Sequence, residues 1–157
     1  MWSTIADVSL VAATVTVGLV AGVFFGFAVA VMPGLGRTDD ATFVTAMRAI
    51  NEAILNRWFL GCFVGAVPLA VIAVVTRFPG PPAALVWTIV GLVAYLITFG
   101  ITMGVNVPLN NRLKDSSEAD SLARAAFEPR WNRFHAIRTV SVVAATVALC
   151  VALILAS

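Results

Sequence analysis

Charge is scarce in this chain. Asp, Glu, Lys and Arg make up only 11% of its 157 residues, while 61% are apolar. Soluble chains carry about 25% charged and roughly 45–50% apolar residues. A water-soluble domain of this length has no interior large enough for so much apolar surface, so that class is excluded. The net charge of +2 is too small for a nucleic-acid footprint, and no basic run with interleaved aromatics occurs. Histidine occurs once, as His135. With Glu52 and Glu128 as its nearest possible carboxylate partners, it is a thin basis for a zinc or iron site. No Ser/His/Asp set and no phosphate-binding glycine loop can be assembled. The two cysteines, Cys62 and Cys150, lie far apart inside apolar runs without a C-x-x-C spacing. They read as small buried hydrophobes rather than a disulfide or a thiol-redox pair.

What is abundant is apolar sequence in long runs. A helix that crosses a bilayer needs about 20 mostly apolar residues, and four stretches qualify: residues 9–32, 59–75, 83–105 and 134–156. The expected fold is all-α, a four-transmembrane-helix bundle forming one integral membrane domain over residues 1–157. An amphipathic extension should precede the second span, and a short interfacial helix, Leu122 to Glu128, the fourth. The start, Met1 to Asp7, carries an acid and no base. Ala28-Val29-Ala30 imitates a cleavage site, but the long run before it and the basic charge after it favour an uncleaved span.

Small residues recur at helical spacing. Gly18, Gly22 and Gly26 form one stripe, and Gly61/Gly65 and Gly100/Gly104 form two shorter ones. Such stripes suit close helix packing by van der Waals contact, within one chain or in a homo-oligomer. Pro33-Gly34 and Gly36 should end the first helix. Pro68 should kink the second, because it removes one ladder bond. Arg77 to Pro82, with Pro79, Gly80 and Pro81, reads as a tight connection. Pro129 suits the first turn of the last helix.

Asp39 and Asp40 suit a helix start. After them Phe43, Met47, Ile50, Ile54 and Trp58 fall on one apolar face, with Thr45, Glu52 and Asn56 pointing away. Asn51 is the exception, landing inside the apolar arc about 40° from Met47. A buried amide without a partner costs on the order of 1–3 kcal/mol, so Asn51 should have one.

Basic residues set the expected orientation. Arg37, Arg48 and Arg57 lie between the first two spans. Arg112, Lys114, Arg124, Arg130 and Arg133 lie between the last two, with Arg138 at the edge. The other side has only Arg77. The two long connections should therefore be cytoplasmic and both termini non-cytoplasmic.

Polar residues then converge on one level. Tyr95, Phe99, Thr102, Asn106 and Asn110 fall within about 60° of each other on a helical wheel, and Pro108 frees the carbonyl of Gly104. On the last helix Trp131, His135 and Arg138 stand at i, i+4 and i+7. An ionisable inward face at membrane depth is expensive and is a functional candidate. Asn51, Asn106, Asn110, Trp131, His135 and Arg138 all lie at the same end of their helices. A pocket is expected there, with apolar walls from Phe25, Phe99 and Met103. Each residue also has a plainer reading: the amides as helix ties, His135 as a satisfied interfacial side chain, Arg138 as a snorkelling cation, and Trp58, Trp87 and Trp131 as belt residues.

Several blocks are distinctive together. They are Gly26-Phe27, Val31-Met32-Pro33-Gly34-Leu35, Ala46-Met47-Arg48-Ala49-Ile50-Asn51, Asn106-Val107-Pro108-Leu109-Asn110-Asn111 and Trp131-Asn132-Arg133-Phe134-His135-Ala136-Ile137-Arg138. The pattern resembles the anthrone-oxygenase-like family of small four-helix membrane proteins, over nearly the whole chain. The last two blocks are the most specific. The resemblance implies oxidation of an anthrone-like tricyclic phenol to a quinone, with dioxygen as co-substrate and no other cofactor. It implies His135 as general base, since an imidazole titrates close to neutrality. Arg138, Asn106 and Asn110 would stabilise the phenolate or enolate. Trp131 and Phe99 would stack on the ring, and Asn51 would help bind the substrate. The expected partners are membrane lipids and a hydrophobic aromatic small molecule.

Two other functions fit the same residues. A non-catalytic membrane protein could hold a lipid, a quinone or a protein partner through Arg138 and the amides. A transporter would need to oligomerise, because four helices are few.

Overall fold

In the computed structural model, which describes residues 2–78 and 80–156, the chain forms five helical rods and, among the described residues, no strand. The first, α1, is Trp2–Gly26, prolonged through a π turn, Phe27–Val31, into a last turn, Met32–Leu35. An amphipathic α2, Asp40–Ala53, leads into α3, Arg57–Arg77. The fourth rod, α4, is Pro82–Ile101, a π turn Thr102–Asn106, and a continuation Val107–Asp115. The last, α5, is Asp120–Ala156. Thr4–Leu35, Arg57–Arg77, Pro82–Asp115 and Asp120–Ala156 are each long and apolar enough to cross a membrane. The chain is a multi-pass membrane protein. The arginine-rich segments, residues 37–57 and 112–133, share one end of the bundle, called here the basic end.

The prolines act differently from the expectation drawn from sequence. Pro33 does not end its helix and Pro108 does not break its own. Each sits two residues after a π turn. The Met32 N–H reaches back five residues to the Phe27 carbonyl, and the Val107 N–H likewise to Thr102. Widening the turn by one residue makes the room a proline ring needs against the preceding turn. The two halves of the chain thus share a device, a five-residue π turn followed by X-Pro, that turns the helix beyond it by an extra residue. The short helix expected before the fourth span is likewise joined to it without a break. Across Pro129, Phe127 and Trp131 stack with centroids 5.9 Å apart, and Arg124 pairs with Glu128 at 2.7 Å. These i,i+4 contacts hold the helix together where one ladder bond is missing. Pro79, part of the expected tight connection, lies outside the described residues.

The bundle is closed by alanine rather than glycine. Ala66, Ala70 and Ala73 of α3 are fully buried with Leu10, Ala13, Val17 and Val20 of α1 in one core cluster, which also takes Ala145, Leu149 and Ala152 of α5. The close approach of α4 to α5 is at Gly91, where an added Cβ would stand 2.7 Å from a Leu149 methyl. The glycine stripes are not used this way within the chain. A Cβ at Gly22, Gly26, Gly61, Gly65, Gly100 or Gly104 would meet nothing within 4 Å. Cys62 is half-buried and Cys150 faces outward, so the latter is not the buried hydrophobe expected. At the end away from the basic connections, Arg77 bonds Asp7 at 2.7 Å, and Ser9 meets Thr76 at 3.4 Å.

At the basic end a second core forms from Met32, Phe43, Val44, Met47, Leu109, Leu113, Phe127 and Trp131. The α2 start is capped by Asp39, whose carboxylate accepts from the Thr42 hydroxyl at 2.6 Å and its N–H at 2.9 Å. Those bonds hold the Asp39 carboxyl below its ordinary pKa. Trp58 leaves the face it was expected to share, because the helix breaks at residues 54–56; it is 74% exposed, with the Arg57 guanidinium over its ring. Arg48 and Arg124 fasten the connections. Arg48 donates to the carbonyls of Leu113 and Ser116, closing the end of α4. Arg124 donates to the carbonyls of Gly36 and Thr38 and to Asp40.

Candidate functional site

Between α2, α3 and the lower part of α4 lies a cavity of about 350 Å³, within the range of roughly 300–1,000 Å³ typical of small-molecule sites. Its back wall is Phe24 and Phe27 of α1, and its floor is Trp131 and Arg138 of α5. One side is an aromatic ladder. Phe59 stacks on Phe63 (5.7 Å, 9°), and Phe63 on Phe99 (5.1 Å, 15°). The lining is overwhelmingly apolar.

Five of the seven residues expected at the site line this cavity: Asn51, Phe99, Asn110, Trp131 and Arg138. Asn106 and His135 stand behind the wall, fully buried or nearly so. They do not bond each other. Phe25, expected as a wall, is 55% exposed on the outer surface; Phe24 and Phe27 take its place.

Trp131 is held by both amides of α4. Its indole N–H donates to Asn110 Oδ1 at 2.8 Å, and its carbonyl accepts from Asn106 Nδ2 at 3.4 Å. Among the described residues the Asn106 Oδ1 has no partner, and neither has the Nδ2 of Asn51. The partner expected for that Asn51 nitrogen is not found among them.

Arg138 is 7% exposed and lies between two rings, 4.2 Å from the Phe24 centroid and 5.1 Å from that of Trp131. Its Nε donates to His135 Nδ1 at 3.0 Å and its Nη1 to Thr102 Oγ1 at 3.3 Å. A guanidinium only donates, so Nδ1 is the accepting nitrogen of the imidazole. The proton is then on Nε2, which donates to the Phe24 carbonyl at 3.1 Å. Phe24 carries its carbonyl one turn before the first π turn, and Thr102 opens the second. The two widened turns thus border the guanidinium from either side. His135 also stacks on Trp131, centroids 4.6 Å apart. Both its nitrogens are committed and it is off the cavity wall, so it has no free nitrogen for the general-base role expected of it.

Among the described residues no carboxylate lies within ion-pair distance of Arg138. Arg138 lines the cavity, and among the described residues its Nη2 has no hydrogen-bond acceptor. Burying a cation costs several kcal/mol even after relaxation. Two ring contacts, each worth about 0.5–2 kcal/mol, offset part of that. What remains is a fixed positive charge facing an apolar space, an arrangement suited to an anionic oxygen on an apolar ligand. Among the described residues no three His, Cys, Asp or Glu side chains gather as a metal-ion site.

Sequence reasoning had placed Thr102 on the right face without a role, and had missed Phe24, Phe59 and Phe63. Thr102 carried a signal, a hydroxyl one turn before Asn106. The phenylalanines carried none, because apolar side chains cover every face of these helices.

The family model described as Anthrone oxygenase matches residues 54–148, about three fifths of the chain. No curated protein and no solved structure matches the chain.

Proposed function

Because this chain belongs to the anthrone oxygenase family, we propose that its cavity takes a planar phenolic tricycle of the anthrone type and oxidises it with dioxygen. The observation that carries the reading is the Arg138 guanidinium, without a carboxylate partner among the described residues, buried between two aromatic rings in the lining of an apolar cavity. The ring methylene of such a substrate is acidic because its carbanion is also the enolate of the opposing carbonyl. A cation at the oxygen favours that ionised form. The proton leaves to water at the polar opening, where Glu52 and Lys114 stand among the lining residues.

The electron-rich carbon then reacts with dioxygen. One oxygen atom becomes the new ring carbonyl and the other leaves as water with the two hydrogens of the methylene. The balance is one dioxygen consumed per quinone. In this reading Arg138 is the catalytic residue and His135 a positioning residue that fixes the guanidinium. Trp131, Phe99 and Asn110 shape the binding wall, and Asn51 offers a donor to a second oxygen of the substrate. Asn106 acts through Trp131.

The test is to incubate protein in lipid nanodiscs with anthrone and with hydroxylated anthrones, following quinone absorbance and oxygen uptake. The reading expects both to rise together above the protein-free background. A tightly bound lipid with no turnover would instead favour a non-catalytic binder of anionic lipids at Arg138.

A further inference from the structure

The cavity is partly open, and its exposed lining falls into two groups of different chemistry. One is Glu52, Asn111 and Lys114 at the basic end. The other lies between α3 and α4, where Leu60, Val64 and Met103 line the cavity and are 37%, 51% and 51% exposed. Lining side chains this accessible border a mouth. Val64 is seven residues beyond Arg57, about 10 Å of helical rise, so this mouth faces acyl chains rather than headgroups. Part of the seam is uncrowded: Cβ atoms at Gly61 and Gly65 on α3, and at Gly100 and Gly104 on α4, would touch nothing within 4 Å. It is fastened by the Phe63–Phe99 stack and, deeper in the bundle, by the Tyr95 hydroxyl on the Phe63 carbonyl at 2.7 Å.

We infer that the cavity's ligand enters and leaves sideways, from the bilayer through a door between α3 and α4 framed by Leu60, Val64 and Met103. The ligand is then a lipophilic molecule that travels in the membrane uncharged, since an ion is costly in hydrocarbon. It ionises only when its oxygen reaches Arg138. This narrows the substrate class to membrane-dissolved arenes with a weakly acidic oxygen, and it rests on the reading that the cavity takes an ionisable aromatic.

The test uses nanodisc protein and radiolabelled 1-hydroxyanthraquinone, a planar tricycle with one ionisable hydroxyl. Exchange is followed on dilution into empty vesicles. Replacing Val64→Trp together with Met103→Trp should slow association and dissociation about tenfold each while Kd stays within about threefold, the signature of a gate rather than a contact. Val64→Ser with Met103→Ala should speed exchange, which keeps the test open if the bulky pair does not fold. Asn111→Trp, which fills the polar opening, should leave both rates unchanged. Rates unaltered in both door variants, or slowed by Asn111→Trp, would overturn the inference and leave the proposed activity standing. Failure of the wild-type protein to bind the probe would overturn both.

Discussion

The Nε of Arg138 donates to Nδ1 of His135 at 3.0 Å, and the imidazole passes the constraint on to the Phe24 carbonyl at 3.1 Å. In the proposed function the single histidine of the chain holds the charge in place instead of meeting the substrate. His135→Ala removes the acceptor and leaves a buried donor unpaired, at a cost of about 1–3 kcal/mol, or roughly 10- to 100-fold in kcat/KM if the loss falls on the transition state. His135→Gln, whose side-chain carbonyl can accept from Nε, should recover most of it. A general base would not be rescued this way. Steady-state oxidation rates of the two variants decide, and Gln as inactive as Ala would contradict the positioning role.

Arg138→Met should separate stability from function. Replacing an unpaired buried charge by an apolar side chain of similar length is often neutral or stabilising by about 1–4 kcal/mol. Unfolding in detergent should therefore show an unchanged or raised midpoint. Binding of 1-hydroxyanthraquinone in its ionised form should fall below detection, while anthracene, which has no oxygen, should bind both proteins alike.

Helix packing gives a prediction of opposite sign at two kinds of glycine. Gly91→Ala pushes a Cβ into Leu149, at 2.7 Å from one of its methyls and 2.8 Å from its Cγ, and should cost about 1–3 kcal/mol by overpacking. Leu149→Val in the same chain should offset part of that. Gly61→Ala and Gly100→Ala meet open space and should be neutral or stabilising by up to about 1 kcal/mol. Denaturation midpoints of the four variants test this.

The connection between α1 and α2 depends on Arg124, which reaches the carbonyls of Gly36 and Thr38 and the carboxylates of Asp40 and Glu128. Arg124→Ala should cost about 1.5–3 kcal/mol, the range for hydrogen bonds to charged groups. Arg124→Lys should recover less than half, because an ammonium cannot span the fork. Hydrogen exchange at residues 36–40 should quicken in both.

The four spans were legible because their apolar runs are long and charge is nearly absent from them. So was the face bearing Trp131, His135 and Arg138, since α5 keeps its 3.6-residue period there. The hydrogen-bond directions were not legible. A wheel shows that Asn106 and His135 share a level, but not that Asn106 faces the Trp131 carbonyl while His135 faces Phe24. The π turns were hidden as well. Each adds a residue, so wheel positions beyond it, that of Asn110 among them, slip by about 100° relative to the helix before it. As guides to packing within the chain, the glycine stripes misled for another reason. Spacing shows where a helix can approach, and the approach within this chain went to Ala66, Ala70 and Ala73 instead.

A buried guanidinium without a carboxylate partner is proposed to drive an oxidation in this cavity. Oxygen consumption by nanodisc protein supplied with a hydroxylated anthrone, wild type beside Arg138→Met, decides whether it does. One dioxygen per quinone is expected for the wild type, and a rate no higher than the protein-free background for the variant. Wild-type protein no faster than background, or a variant as fast as the wild type, would rule that role out.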